Sequence, residues 1–357
     1  MKIIKITAVV VSLVLLILYI NRETITYKLA ETMIAKNLTR NLVSELPDGL
    51  HVFLCGAGSP MIDPKRSGPC TAVIVGNNVF IVDAGNATSK NLQLGRVPIG
   101  KVEGIFLTHF HSDHIDGLGE LIMQRWANGS RNTPVEVYGP EGVEQVVSGF
   151  NLAYQQDDSY RIAHHGEATM PPSGGNGLAK AFKQPKEGES VKVYQQQGIT
   201  VSAFKVNHNP IEPAVGYRFD YKGRSLVISG DTVKSSNIAK QSQGVDVLLH
   251  EALSITLVNF INKQTKKAGR DNLVKITHDI TDYHTTPVQA AEIAEQAKVK
   301  HLVFNHIVPP LRIATMEEIF LQGVEEAFSG DYTLGKDGTL ISLPANSDDI
   351  IVEELLW

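Results

Sequence analysis

Thr108-His109-Phe110-His111-Ser112-Asp113-His114 concentrates more chemistry than any other stretch of this chain. Three histidines and one aspartate fall within six residues, directly after the apolar run Ile105-Phe106-Leu107. An apolar run ending in such a cluster reads as a buried strand delivering side chains into a loop. Imidazole and carboxylate are ligands of borderline divalent metals such as zinc. One ion could not comfortably use all four donors from so short a loop. The spacing suggests a split, with His109 and His111 on one metal and Asp113 and His114 on a second. A polar surface loop rich in histidine is the plain alternative, but further candidate ligands recur downstream. His208 follows Ala203-Phe204-Lys205-Val206-Asn207, Asp231 follows Leu226-Val227-Ile228-Ser229-Gly230, and His306 follows His301-Leu302-Val303-Phe304-Asn305. Taken singly, each is an ordinary histidine or turn aspartate. Each follows an apolar strand, so all should gather on one edge of the fold.

The His-x-His-x-Asp-His motif behind an apolar strand resembles the signature of the metallo-β-lactamase superfamily. Phe80-Ile81-Val82-Asp83-Ala84-Gly85 resembles the strand-end aspartate of the same fold. His250-Glu251-Ala252 and His284-Thr285-Thr286-Pro287-Val288-Gln289-Ala290-Ala291 resemble paired motifs of its ribonuclease Z-like branch, which includes arylsulfatase-like and cyclic-nucleotide phosphodiesterase-like enzymes. The resemblance covers roughly residues 50 to 343. It implies an α/β fold, the αββα four-layer sandwich. It also implies that His208 completes the first metal, His306 the second, and Asp231 bridges both. Two divalent cations about 3.5–4 Å apart would hold a water and lower its pKa toward 7. Zn2+ is the expected ion, with Mn2+ or Fe2+ as alternatives. Asp113 would orient that water or take its proton. His284 is the candidate general acid, with Glu251 on its other ring nitrogen. Thr285-Thr286-Pro287 equally resembles a helix cap and first turn, which would make His284 a helix N-terminal residue. His250 is a supporting residue in this reading. His164, His165 and His278 have no matching role and are read as loop residues.

The elements that must position these side chains follow from the apolar pattern. Short β-type runs occur at 51–54, 72–75, 79–82, 104–107 and 135–138, and again at 198–204, 214–219, 225–228 and 245–249. Helical periodicity appears at 141–150, 232–241, 287–297 and 315–328. Strands flanked by outer helices indicate the same αββα layers. Residues 151–190 break the pattern around Pro171-Pro172-Ser173-Gly174-Gly175-Asn176-Gly177 and read as a loop by composition. Residues 253–283 form a second long insertion, between the two paired motifs. Segments of this length are usually lids or binding arms.

Ahead of this unit, Lys2 and Lys5 precede the fifteen-residue apolar run Ile6–Ile20. Ile3 and Ile4 lengthen it toward the lower limit of about 17 for a span. Asn21-Arg22-Glu23 follows instead of a small-residue cleavage site, which favours an N-terminal transmembrane helix over a removed signal peptide. The lysines place the start in the cytoplasm and translocate the body, although Arg22 and Lys28 weaken that orientation. Cleavage would instead give a secreted protein. Ile25, Leu29, Met33, Ile34 and Leu38 recur at helical spacing, as in a juxtamembrane helix. The expected divisions are 1–21 (anchor or signal), 22–47 (juxtamembrane helix) and 48–357 (hydrolase unit). Cys55 and Cys70 are the only cysteines and could pair or remain free.

With 33 Lys/Arg against 38 Asp/Glu, the net charge is −5, so the chain as a whole offers a polyanion no attraction. The leading expectation is a dinuclear metal hydrolase of small-molecule phosphate or sulfate esters. The first alternative is a tRNA 3′-end endoribonuclease. The resemblance implies that this enzyme grips RNA with a basic arm, but residues 118–200 carry seven Lys/Arg and nine Asp/Glu. A translocated body would not meet tRNA precursors, and Ile307-Val308-Pro309-Pro310 after His306 departs from the ribonuclease Z pattern. The second alternative is a non-catalytic membrane-anchored metal-binding module, disfavoured because all seven ligands are present. A homodimer is left open.

Overall fold

The computed structural model describes residues 2–356; Met1, Trp357 and the side chains of residues 2–5, 8, 9, 37 and 39 lie outside the described residues. One sheet is built from β1 (Gly49–Gly56), β2 (Cys70–Val75), β3 (Asn78–Val82), β4 (Val102–Phe106), β5 (Val135–Pro140) and β6 (Gly177–Phe182). The other takes β7 (Ser190–Gln196), β8 (Ile199–Lys205), β9 (Val215–Tyr221), β10 (Arg224–Ile228), β11 (Val247–Leu253), β12 (His301–Val308) and β13 (Asp331–Leu334). β14 (Thr339–Pro344) and β15 (Ile351–Glu354) return to the first. The orders are β15-β14-β1-β2-β3-β4-β5-β6 and β13-β12-β11-β10-β9-β8-β7. Strands β3 to β6 are mutually parallel, as are β10 to β13, while the strands on the other side of each sheet run antiparallel.

Alternation along the strands builds the layers. In β1, Leu50, Val52 and Leu54 face the second sheet and meet Val201, Phe219 and Leu249, whereas Phe53 and Cys55 face outward. Side chains of successive strand residues point to opposite faces, so strands buried on both sides are apolar throughout. Phe106 stacks on Tyr138 (ring centroids 4.8 Å apart) and meets Tyr217 and Phe219 edge-on, fixing the two sheets in register.

The helices in chain order are α1 (Lys2–Ile20), α2 (Arg22–Thr39), α3 (Leu42–Glu45), α4 (Thr88–Leu94), α5 (Ser112–Ile115), α6 (Leu118–Gly129) and α7 (Val143–His165). Then come α8 (Ser236–Gln241), α9 (Ile255–Lys267), α10 (Asp271–Asp279), α11 (Pro287–Ala297), α12 (Ala314–Leu321) and α13 (Val324–Ala327). Residues of α4 and α6 cover the outer face of the first sheet, and those of α8, α11 and α12 cover the second. The four expected layers are therefore present.

Two expectations need correction. The chain does not become loop at residue 151, because α7 continues to His165 and only 166–176 is irregular before β6 joins the sheet edge. His164 and His165 therefore sit in the last turn of a helix, and His278 in the last turn of α10. The 253–283 insertion is a helical hairpin, α9 and α10, rather than an open loop. Among the described residues, no one helix is long and apolar enough to cross a membrane. Only α1 with α2, bent by 66° between them, passes that test of length and composition. Both helices are solvent-facing along most of their length, and packing on the body begins at Leu42 and Val43. Cys55 and Cys70 form a disulfide between the adjoining strands β1 and β2.

Candidate metal centre

Every candidate ligand lies at or just beyond the end of a strand on one rim of the sandwich, where parallel strands leave a crevice outside their carboxyl ends. Asp83 follows β3, and its φ of 57° puts it in the left-handed region. Its carboxylate accepts the Thr108 amide (2.8 Å) and the Thr108 hydroxyl (2.9 Å), and lies 2.9 Å from His114 Nδ1. Asp83 thus ties β3 to the cluster loop. With Nδ1–H donating to Asp83, His114 Nε2 keeps its lone pair for the site. Gly85 makes this approach feasible: a Cβ there would stand 2.3 Å from the Asp113 carbonyl. Gly230, at φ +62°, turns the chain after β10 and aims Asp231 inward.

The donors converge on Asp231 Oδ2. His306 Nε2 lies 3.3 Å away, His114 Nε2 3.4 Å, His208 Nε2 3.8 Å and His109 Nε2 3.9 Å. Asp113 Oδ2 is 3.3 Å from His306 Nε2 and 3.6 Å from His114 Nε2. His109 Nε2 and His111 Nδ1 are 3.0 Å apart. Two groups of donors capable of holding a metal result: His109, His111, His208 and Asp231, and Asp113, His114 and His306. That is the division the loop spacing suggested, with Asp231 central to both. A third grouping sets His284 beside Asp231 and His306.

Buried polar atoms test whether cations suit this place. Asp231 Oδ1, His114 Nε2 and His208 Nε2 are buried and have no hydrogen-bond partner. Leaving such atoms unpaired is costly, and imidazole and carboxylate are the donors divalent cations accept. The residues fit the ions.

Electrostatics point the same way. Burial pushes the His109 imidazole well below its ordinary value, so it is neutral and free to ligate. Burial opposes protonation of His306 too, but Asp231 and Asp113 lift it to about 8. His114 is held well above the ordinary value by Asp231, Asp83 and Asp113 despite burial. Burial would raise Asp231, yet the His306 and His114 imidazoles hold it well below the carboxylate range. These cations-in-waiting are the protons that two metal ions would displace.

The paired motifs meet at the same rim. Glu251, at the end of β11, accepts the backbone amides of Thr232 (3.2 Å) and Thr285 (2.9 Å) through Oε1. His284 Nδ1 lies 3.2 Å from that oxygen, within ion-pair distance, but makes no hydrogen bond. Thr286 forms a capping box with Gln289 and Pro287 opens α11, so His284 precedes a capped helix, and its ring stacks on that of His306. His250 is buried, with Nδ1 against the Glu251 carbonyl (2.7 Å) and no place among the candidate ligands. One contributor escaped the sequence reading. The carbonyl of Tyr283 lies 3.0 Å from His208 Nδ1 and orients that ring. A main-chain oxygen leaves no signal in residue identity.

Residues 78–307 match the β-lactamase superfamily domain. The chain is 32% identical to the ribonuclease Z of Mycolicibacterium paratuberculosis over 300 residues, spanning 84% of this chain and 100% of the mycobacterial protein. Among solved structures it resembles the metallo-β-lactamase fold protein YhfI from Bacillus subtilis (TM-score 0.59, 17% identity, 83% of this chain and 100% of that one). It also resembles the short form of human tRNase Z (TM-score 0.57, 22% identity, 82% and 99%). The fold, the convergent histidine and aspartate clusters and these likenesses agree: the chain belongs to the metallo-β-lactamase superfamily, is homologous to ribonuclease Z, and is a metal-dependent hydrolase.

Proposed function

We propose that this chain hydrolyses phosphodiester bonds and that RNA is its substrate, in the manner named for its ribonuclease Z relatives. The observation that carries the reading is the full-length likeness to those relatives together with the Glu251–His284 pair facing the clusters. It favours RNA over the small-molecule phosphate or sulfate esters expected first.

Bound at this rim, two divalent cations would supply an activated water and neutralise charge developing on the substrate. His109, His111 and His208 would hold one, Asp113, His114 and His306 the other, and Asp231 both. Asp113 accepts the proton of the attacking water as its oxygen bonds to phosphorus. The bond from phosphorus to the leaving oxygen breaks, and His284 delivers a proton to that oxygen. Glu251 compensates the imidazolium during the transfer, and closing the 3.2 Å gap to Nδ1 is the small movement this requires.

A second reading, a small-molecule phosphodiester, is favoured by specific features. The Cys55–Cys70 disulfide belongs to oxidising compartments. The apolar side chains of α1 stand open to solvent, from Val14 at 49% to Ile20 at 67% exposed, as expected of a helix that lipid covers. We propose accordingly that α1 and α2 anchor the chain to a membrane. An alkaline phosphatase fusion to the body reports the side on which it resides.

The deciding experiment presents metal-loaded full chain with pre-tRNA, bis(p-nitrophenyl) phosphate and an aryl sulfate. Cleavage of pre-tRNA at its 3′ side supports the RNA reading. Turnover of the small diester alone replaces it with the second reading, and turnover of the sulfate alone removes both.

A further inference from the structure

The α9–α10 hairpin grows from the rim of the metal centre. Leu253, Val258, Ile280 and Val308 pack together at its root. Asn262 Nδ2 donates to the Val274 carbonyl (2.7 Å) and Thr277 Oγ1 (2.8 Å), holding the two helices side by side. The return limb ends at Tyr283 and His284, which already touch the site. A helix of 13 residues extends about 20 Å, and the turn at Gly269 is exposed to solvent.

The charge on the outgoing limb of this hairpin departs from that of the chain, while the return limb carries Lys275 against Asp271, Asp279 and Asp282. Residues 255–270 contain Lys263, Lys266, Lys267 and Arg270 and no acidic residue. All four are exposed, and none makes a side-chain ion pair or hydrogen bond among the described residues. In the 118–200 region three of the seven cations are ion-paired, Arg131 with Glu103, Arg161 with Asp157 and Lys180 with Glu136, and acidic residues outnumber basic ones there. Phe260, 62% exposed, shares a face of α9 with Lys263 and Lys267, three and seven residues on. Unpaired cations beside an exposed aromatic ring suit phosphates flanking an unstacked base.

We propose that this hairpin grips RNA, with Lys263, Lys266, Lys267 and Arg270 on successive phosphates and Phe260 stacked on a base. The proposal rests on the RNA reading above and names the element that performs the recognition. It also resolves the charge objection, since the basic surface lies in the 253–283 insertion and not in the acidic 118–200 region. A membrane contact is less well served. Leu257 and Val258 are turned into the body, and the exposed Ile255, Phe260 and Ile276 form no continuous apolar stripe.

The test is binding of the full chain to a fluorescein-labelled single-stranded RNA, read by anisotropy over a salt series. Changing Lys263, Lys266 and Lys267 together to Glu should weaken binding by about tenfold or more, and neutral Gln replacements by less. Three lost phosphate contacts at about 0.7 each should lower the log–log salt slope by about 2. Phe260→Ala should weaken binding without changing that slope. Unchanged melting temperature and metal content certify folding. Equal RNA binding by parent and lysine variants overturns the proposal, as does absence of binding by the parent. Loss of adhesion to phosphatidylserine vesicles with RNA binding intact makes the hairpin a membrane contact and overturns it as well. If the lysines govern binding but loaded enzyme leaves the RNA uncut, the hairpin assignment stands and the RNA-cleavage reading falls.

Discussion

Replacing Asp83 with Asn should disable one cation position without unfolding the chain. Asparagine matches aspartate in shape and tolerates the left-handed backbone found there. In the parent, one carboxylate oxygen accepts the Thr108 amide while the other serves the Thr108 hydroxyl and His114 Nδ1. An amide offers one acceptor and one donor. If its oxygen stays on the Thr108 amide, its NH2 faces His114 Nδ1. Nδ1 must then accept, and the proton moves to Nε2, the atom meant to ligate. If the amide flips, two N–H groups confront one another, and a buried donor loses its partner at about 1–3 kcal/mol. Either way the His114 position suffers more than the His109–His111–His208 position. Loss of such a supporting group typically costs 10–100-fold in metal affinity, about 1.4–2.7 kcal/mol. Competition against a graded series of chelators, followed by elemental analysis, should reveal one ion per chain released early and one retained. Parent-like retention of both ions would refute the tautomer argument.

His284→Ala should keep both metals but slow turnover by roughly 10²–10⁴-fold, with a smaller loss for a nitrophenol leaving group that hardly needs a proton; Asp231→Ala should strip metal and abolish activity on every substrate. Equal slowing of good and poor leaving groups would remove His284 as the acid. Gly85→Ala should fail to retain metal and melt lower, because its Cβ would fall 2.3 Å from the Asp113 carbonyl and force the cluster loop away; an unchanged melting curve would contradict this. The metal-free chain should lose stability as pH rises from about 6.5 through about 8. His306 is raised above its unfolded value, so its contribution is full below the unfolded pKa and disappears as the folded group deprotonates. Thermal melts of chelated protein across this range, with and without added zinc, provide the check.

Much of the site was legible because its chemistry is local. The histidine–aspartate loop is compact, and each remote ligand follows an apolar strand that announces itself. The failures share a physical cause. α7 buries only Val143 and Val147, so its second half shows no apolar stripe and residues 151–165 resembled a loop. β15 is exposed at all four positions, and β13 is exposed at one and partly buried at three, so neither shows the alternation of a half-buried strand. Tyr283 acts through its carbonyl, which every residue possesses.

The Cys55–Cys70 bond has a consequence beyond joining two strands. The fifteen-residue segment it closes ends against the cluster loop. Pro69 accepts the Gly85 amide (2.9 Å), Gly68 donates to Asn86 (3.1 Å), and a Cβ on Gly68 would lie 3.0 Å from the Asp113 carbonyl. Closing a loop of this length restrains the unfolded chain by about 3 kcal/mol. Reduction would return that freedom to the segment buttressing Asp113. Thiol status and ion retention are therefore linked through a single stretch of backbone. Protein produced in a reducing cytosol should release its ions to chelator sooner than the oxidised form, even though neither sulfur touches the site.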